Sequence, residues 1–190
     1  MPPKPKFTRE EIIDAALKIA ADRGLKALTS RELGAALGSS ARPIFTVFDS
    51  MDEVQAEVRK AAMAKFESYT SKAKNAAPIF KQVGLQMILF AKEQPKLYRL
   101  LFMSENAEAM SFDDLFTTLG DTAVRCMDIL QSEYSLNYDD AMQLFRSVWI
   151  FTYGLGSLIA TGTCRFADRE IQDMLSREFN AMLMLIKSGK

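Results

Sequence analysis

TSRELGAALGSSARPIFTVF, running from Thr29 to Phe48, reads as two short helices parted by a glycine turn. Thr29-x-x-Glu32 has the form of a capping box, in which the threonine hydroxyl bonds the Glu32 amide and the Glu32 carboxylate returns to the Thr29 amide. Leu28 and Leu33 supply the hydrophobic staple beside it. Leu33, Ala36 and Leu37 form an apolar edge at helical spacing, and Gly38 stands where a helix is closed by a residue at positive φ. Ser40 is placed to cap a second helix, and Pro43 falls within its first turn, where a missing amide costs little. Ile44, Val47 and Phe48 would face inward, leaving Ala41, Arg42, Phe45 and Thr46 outward. Two helices so arranged make a helix-turn-helix, whose second member offers its N-terminal residues to the major groove of DNA.

Upstream, Thr8-x-x-Glu11 is a second capping box, stapled by Phe7 and Ile12, and it opens a helix through Ile13, Ala16, Leu17 and Ala20 to Gly24. The apolar stripe of this helix needs a partner. The two helices of Thr29 to Phe48 provide one, so a three-helix unit is expected to close over Ile12, Leu17, Leu33, Leu37, Ile44 and Phe48. Lys4 and Lys6 precede it as an arm that either reaches DNA or stays in solvent.

The 190 residues are 48% hydrophobic and 25% charged, enough to bury a core in one or two domains. Net charge is zero, but the residues through Phe48 carry eight Lys/Arg against five Asp/Glu, so the positive excess lies where the proposed reader lies. That bias permits nucleic-acid binding without demanding it. The absence of histidine excludes most zinc sites, imidazole acid–base catalysis and histidine pH switching. Cys126 and Cys164 are far apart in sequence and suit a reducing cytoplasm, where a buried cysteine is a small hydrophobe. No metal or cofactor site is expected. MPPKPKF lacks the apolar segment of a signal peptide. Ser147 to Cys164 runs 18 residues without a charge, yet eight of them are glycine, serine or threonine, so a buried helix is expected rather than a membrane span.

Beyond the reader, Ser50-x-x-Glu53 starts a longer helix through Val54, Val58, Ala62 and Phe66 to about Lys74. Pro78 suits the first turn of the next helix and Pro95 ends it. Between them Phe80, Val83, Leu85, Met87, Ile88, Leu89, Phe90 and Ala91 are apolar nearly all round, as in the centre of a bundle. Leu97 to Met103 forms a short apolar turn or two. Ser111-x-x-Asp114 then opens a helix carrying Leu115, Phe116, Leu119, Val124, Met127 and Leu130. Asn137 caps another, with Ala141, Phe145, Val148, Trp149, Thr152, Gly156 and Ile159. After a loop near Gly162, the last helix has Ile171, Leu175, Phe179, Met182 and Ile186 at clean spacing. No strand alternation is visible, so the fold class is all-α.

In combination these residues resemble the TetR (tetracycline repressor) family of bacterial transcription factors. Thr8-Arg9-Glu10-Glu11-Ile12 through Ala15-Ala16-Leu17, Arg23-Gly24, the Thr29 cap, the Leu33 to Gly38 turn and Ile44-Phe45-x-x-Phe48 carry the resemblance over about fifty residues. Phe90-Ala91-Lys92-Glu93-x-Pro95, Leu100-Leu101-Phe102-Met103 and Trp149-x-x-x-Tyr153-Gly154 resemble one C-terminal subgroup. Tyr153 stands where that subgroup has histidine, Phe45 where the family often has tyrosine, and Met51 where it often has lysine. The resemblance implies about nine helices, with residues 1–50 as the DNA-binding domain and 51–190 as an effector-binding and dimerisation domain. It further implies a homodimer whose last two helices form a four-helix interface, and a palindromic operator in double-stranded DNA. Gly156, Ile159 and Ala160 with Leu175, Phe179, Met182 and Ile186 are the expected interface.

By this layout, phosphate contacts fall to Thr29, Arg31, Ser39, Thr46 and the Lys4/Lys6 arm, and base contacts to Ser40, Ala41, Arg42 and Phe45. Arg42 is the leading reader, because a guanidinium early in the recognition helix can bond guanine O6 and N7 together; the alternative is a phosphate-bound or solvated arginine. Phe80, Met87, Phe90, Tyr98, Phe102, Phe116, Met127, Phe145, Trp149, Thr152 and Tyr153 form an aromatic and methionine-rich set suited either to an ordinary core or to a cavity for a small hydrophobic effector. The expected function is a ligand-responsive repressor in the cytoplasm. No catalytic residues are expected, since a nucleophile beside a base and a phosphate-binding glycine loop are both missing. The competing reading is a helical interaction module without specific DNA binding.

Overall fold

The computed structural model describes residues 5–72, 79–103 and 110–189, and among them the chain is helical with no strand. Lys4, Lys74 and Pro78, on which three expectations fell, lie outside the described residues. The α-helices are α1 Arg9–Arg23, α2 Ser30–Ala36, α3 Met51–Thr70, α4 Ile79–Glu93, α5 Pro95–Phe102, α6 Phe112–Thr118, α7 Asp121–Tyr134, α8 Tyr138–Ala160 and α9 Asp168–Lys187. Two 3-10 turns, Leu25–Ala27 and Ile44–Thr46, join them. No helix of the described chain is long and apolar enough to cross a membrane.

The chain divides into two compact units. The first comprises the described residues up to Lys65 together with those from Gln94 to Met103. α1 is set by the full capping box, with the Thr8 hydroxyl accepting from the Glu11 amide and the Glu11 carboxylate accepting from Thr8. Its stripe buries Ile12, Ala16, Ile19 and Ala20, while Leu17 is only half-buried. Val54, Val58 and Ala62 recur at one-turn spacing on α3 and are fully buried, so this part of the helix belongs to the N-terminal core. α5 joins it from further along the chain, after α4. Leu97, Tyr98 and Leu100 bury its apolar face. Lys96 donates to the carbonyl of Asp22, and the Arg59 guanidinium donates to the Leu100 carbonyl at 3.0 Å.

In the second unit α4 packs on α8 and α9, and α7 packs on α4 and α8. Ile88, Leu155, Ile171 and Leu175 form a buried cluster, flanked by Leu85, Phe151, Ile159, Phe166 and Met174. Ring contacts continue it: Phe80 lies tilted 5.4 Å from Phe179, and Phe116 lies edge-on 5.1 Å from Phe145. The Ser111 and Asn137 caps form as expected. The single helix expected after Ser111 does not. It breaks at Gly120, whose φ of 55° and ψ of −137° are open to glycine but strained for other residues, and α6 and α7 result. The break turns Val124 out to solvent, where it is 56% exposed.

Candidate nucleic-acid interface and effector cavity

α2 ends as the glycine requires. Gly38 has φ of 63°, its amide donates to Ala35 O at 3.0 Å, and the Ser39 amide donates to Gly34 O at 2.9 Å. This paired arrangement is a Schellman closure. The N-terminal box forms only by half: Thr29 accepts from the Glu32 amide at 3.2 Å, but the Glu32 carboxylate turns to Arg23 at 2.7 Å. An ion-pair partner from α1 thus replaces the local amide. The apolar edge also differs, because Ala36 is exposed and Gly34 is buried in its stead. A β-carbon at Gly34 would sit 2.8 Å from the Ser40 carbonyl carbon and 2.9 Å from the Ala41 nitrogen. Only glycine lets the turn lie this close to α2.

The second helix is shorter than expected. Ile44–Thr46 is a 3-10 turn, with Ile44, Thr46 and Val47 amides donating three residues back, and Ser40 caps nothing. Two features explain this. Pro43 has no amide for the Ser39 carbonyl, and the Thr46 hydroxyl takes the Pro43 carbonyl at 2.7 Å, where an α-helix would place the Val47 amide. A segment this short does not repay helix nucleation against such competition. Burial of Ile44 and Phe48 anchors the turn instead.

On its outer side Ser40, Arg42, Phe45 and Thr46 are exposed, and Ala41 is half-buried. Arg31 and Arg42 are exposed, with no ion-pair partner among the described residues, whereas Arg9 and Arg23 are paired. Lys6 lies beside the turn, its ammonium donating to Ser39 Oγ at 3.1 Å. Thr29 and Ser39 keep a hydroxyl proton to donate. Thr46 does not: its amide and hydroxyl both go to the Pro43 carbonyl, so its expected phosphate contact has no donor in this geometry. Glu53 closes the far side. Its carboxyl is held below the usual range, first by the Asp49 amide and then by Arg9.

In the second unit a small apolar cavity of about 30 Å³ is lined by Phe66, Phe80, Val83, Gly84, Met87, Thr122, Cys126, Phe145, Val148, Trp149 and Thr152. Of the expected effector residues, Phe80, Met87, Phe145, Trp149 and Thr152 meet there. Phe90 packs edge-on against Phe66 and Tyr69 instead, Phe116 against Phe145, and Met127 is buried in α7. Tyr153 is half-buried and off the cavity wall. Tyr98 and Phe102 lie tilted against each other within the N-terminal unit, 5.0 Å apart, and do not line it. Sequence reasoning missed Phe66, Val83, Gly84, Thr122, Cys126 and Val148. Val83 and Met87 repeat at one-turn spacing and were a signal; Thr122 and Cys126 follow the break at Gly120, which shifted their phase. Among the described residues, no charged side chain lines the cavity. Burial pushes the Cys126 thiol up to about 12.

The expected dimer residues point inward. Gly156, Ala160, Leu175, Phe179 and Ile186 are buried within their own chain, and Ile159 and Met182 are half-buried. The cleanest apolar stripe of a surface helix faces its own core. The outward apolar residues of these helices are Ile150 and Leu158 on α8 and Met184 and Leu185 on α9, with Gly154 exposed between the first two. Met184 is 73% exposed.

A family model described as bacterial regulatory proteins, tetR family, matches residues 12–58, and one described as tetracyclin repressor-like, C-terminal domain, matches residues 80–182. No curated protein matches the chain. A TetR-like transcriptional regulator from Rhodococcus sp. RHA1 is 17% identical, with a TM-score of 0.64 over 99% of this chain and 100% of that one. A TetR-family regulator structure from Mesorhizobium loti is 20% identical, with a TM-score of 0.58 over 94% and 98%. The multidrug binding protein EbrR, solved with imidazole, is 14% identical, with a TM-score of 0.57 over 93% and 95%.

Proposed function

The chain belongs to the TetR family of bacterial regulators, and on that premise we propose that it is a repressor which binds a palindromic operator as a homodimer and releases it when a small hydrophobic molecule enters the cavity of the second unit. The observation that carries the DNA-binding part is Arg42, exposed and unpaired on a turn seated by Gly34, Ile44 and Phe48. Arg42 reads a guanine edge. Ser40, Ala41 and Phe45 lie against bases, and Arg31, Thr29, Ser39 and Lys6 hold phosphates. A mobility-shift assay against the DNA flanking the coding region, repeated at several salt concentrations, tests it. Counterion release makes the affinity fall steeply as salt rises. The exposed Phe45 favours one other reading, a helical interaction module, because phenylalanine offers no polar contact to a phosphate. Affinity that is weak and indifferent to salt would support that module instead.

Effector binding rests on the cavity and on the likeness to a multidrug binding protein. A cavity of about 30 Å³ holds a water or two, far below a drug-sized ligand, so the effector enters by displacing Met87 and the rings of Phe80 and Trp149. Lacking a charged wall, the site takes a neutral, largely apolar molecule. The ligand biases the dimer only by its difference in affinity for the DNA-competent and released states. Partner recognition falls to the outward face of α8 and α9, where Ile150, Leu158, Met184 and Leu185 meet their counterparts across a twofold axis.

A further inference from the structure

Arg9 stands at the first position of α1, where the helix dipole disfavours a cation and the next two residues, Glu10 and Glu11, obey the rule. Something other than helix propensity holds it there. Its guanidinium lies over the Phe48 ring, 4.2 Å from the centroid. The same group donates to Glu53 at 2.8 Å and lies 3.4 Å from Glu57. Glu53 is itself a node: its other carboxylate oxygen accepts from the Asp49 amide at 2.8 Å, and its own amide donates to Ser50 Oγ at 3.2 Å. One arginine therefore joins three things: the start of α1, the last residue of the DNA-facing turn, and the first turns of α3.

We propose that Arg9 is a positioning residue for DNA recognition, which fixes the exit of the reader turn through Phe48 and Glu53 and touches no DNA itself. The proposal rests on the DNA-binding reading above. The turn has reason to need such a clamp. Ile44–Thr46 has only 3-10 bonds and cannot hold its own orientation as a longer helix would. Its entry is fixed by the close approach at Gly34, and its exit by the ring that Arg9 covers. Two carboxylates already neutralise the guanidinium, which sets it apart from Arg31 and Arg42, whose charge is unspent. Lysine replaces it only in part, for a compact, strongly hydrated ammonium covers less of the Phe48 ring than a guanidinium does.

The test uses the full chain and a duplex that the wild-type protein selects from a random-sequence library, with a scrambled duplex of equal length beside it. Affinity is measured across a salt series for Arg9→Ala, Arg9→Lys, Glu53→Gln and the Arg9→Ala/Glu53→Gln pair, with melting temperatures for each. Arg9→Ala is expected to weaken binding to the selected duplex roughly fivefold or more, with the salt slope and the scrambled-duplex affinity unchanged. Glu53→Gln should produce much of the same loss, and the pair should add little to either single change. Arg9→Lys, which keeps the stem packing if Arg9→Ala lowers the melting temperature, should fall between wild type and Arg9→Ala. A salt slope reduced by about one in Arg9→Ala would make Arg9 a phosphate contact and overturn the proposal. Fully additive losses, or unchanged affinity in Arg9→Ala, would overturn it too while leaving the DNA-binding reading intact. If the wild-type chain selects no duplex, the DNA-binding reading fails and this proposal fails with it.

Discussion

Gly34 and Gly84 both lie inside helices, and a methyl group would act oppositely at the two. At Gly34 it would press on the Ser40–Ala41 backbone at 2.8 to 2.9 Å, which cannot yield without moving the reader turn. Gly34→Ala should therefore cost about 1 to 3 kcal/mol by overpacking and abolish specific DNA binding, read by urea denaturation and by mobility shift. At Gly84 the methyl would meet Thr152 Oγ1 at 3.7 Å and Leu175 Cδ1 at 3.8 Å, ordinary contact distances. Gly84→Ala should stabilise the fold by up to about 1 kcal/mol while narrowing the cavity against an effector. Arg42→Ala should leave stability unchanged and weaken specific binding by about 1 to 3 kcal/mol; equal affinity of wild type and variant for the operator would remove Arg42 from base readout. Cys126, buried and with its thiol pushed up to about 12, should resist a disulfide reagent at neutral pH until urea is added, whereas the half-buried Cys164 reacts first. None of the effects at Gly34, Gly84 or Cys126 was legible in the sequence, since each depends on which backbone or wall lies opposite. The exposure of Arg42 was legible, because Ile44 and Phe48 mark the inward side of their own turn.

At the scale of elements, signals that depend on neighbouring residues survived folding where no distant partner competed. Thr8, Ser111 and Asn137 cap their helices as their spacing predicts. Thr29 and Ser50 complete only half of their boxes, because Glu32 answers to Arg23 and Glu53 to Arg9 and the Asp49 amide. Thr8→Ala should accordingly cost about 1 kcal/mol, seen as a lower urea midpoint with an unchanged denaturant slope. The length of the second reader helix and the break at Gly120 were misjudged for one reason. Apolar spacing runs on through Pro43 and through Leu119 to Val124, whereas hydrogen bonding does not: a proline amide is missing in one case, and a glycine takes positive φ in the other.

For the whole molecule, the proposed assembly rests on the outward face of α8 and α9. Ile150→Glu with Leu185→Glu should convert the proposed dimer to monomers in light scattering and lose operator affinity with it, since two half-sites are then gripped separately. A dimer that persists would move the interface elsewhere. The helical class and the family were both present in the sequence, because capping and periodicity are local properties of the chain. Tertiary structure alone decided three other matters: the grouping of α5 with α1 and α3, the pairing of Arg9 with Phe48 and Glu53, and which stripe of the last helices stays uncovered. Each of these brings together residues far apart along the chain, and periodicity within one helix reports that a face is apolar without reporting what covers it.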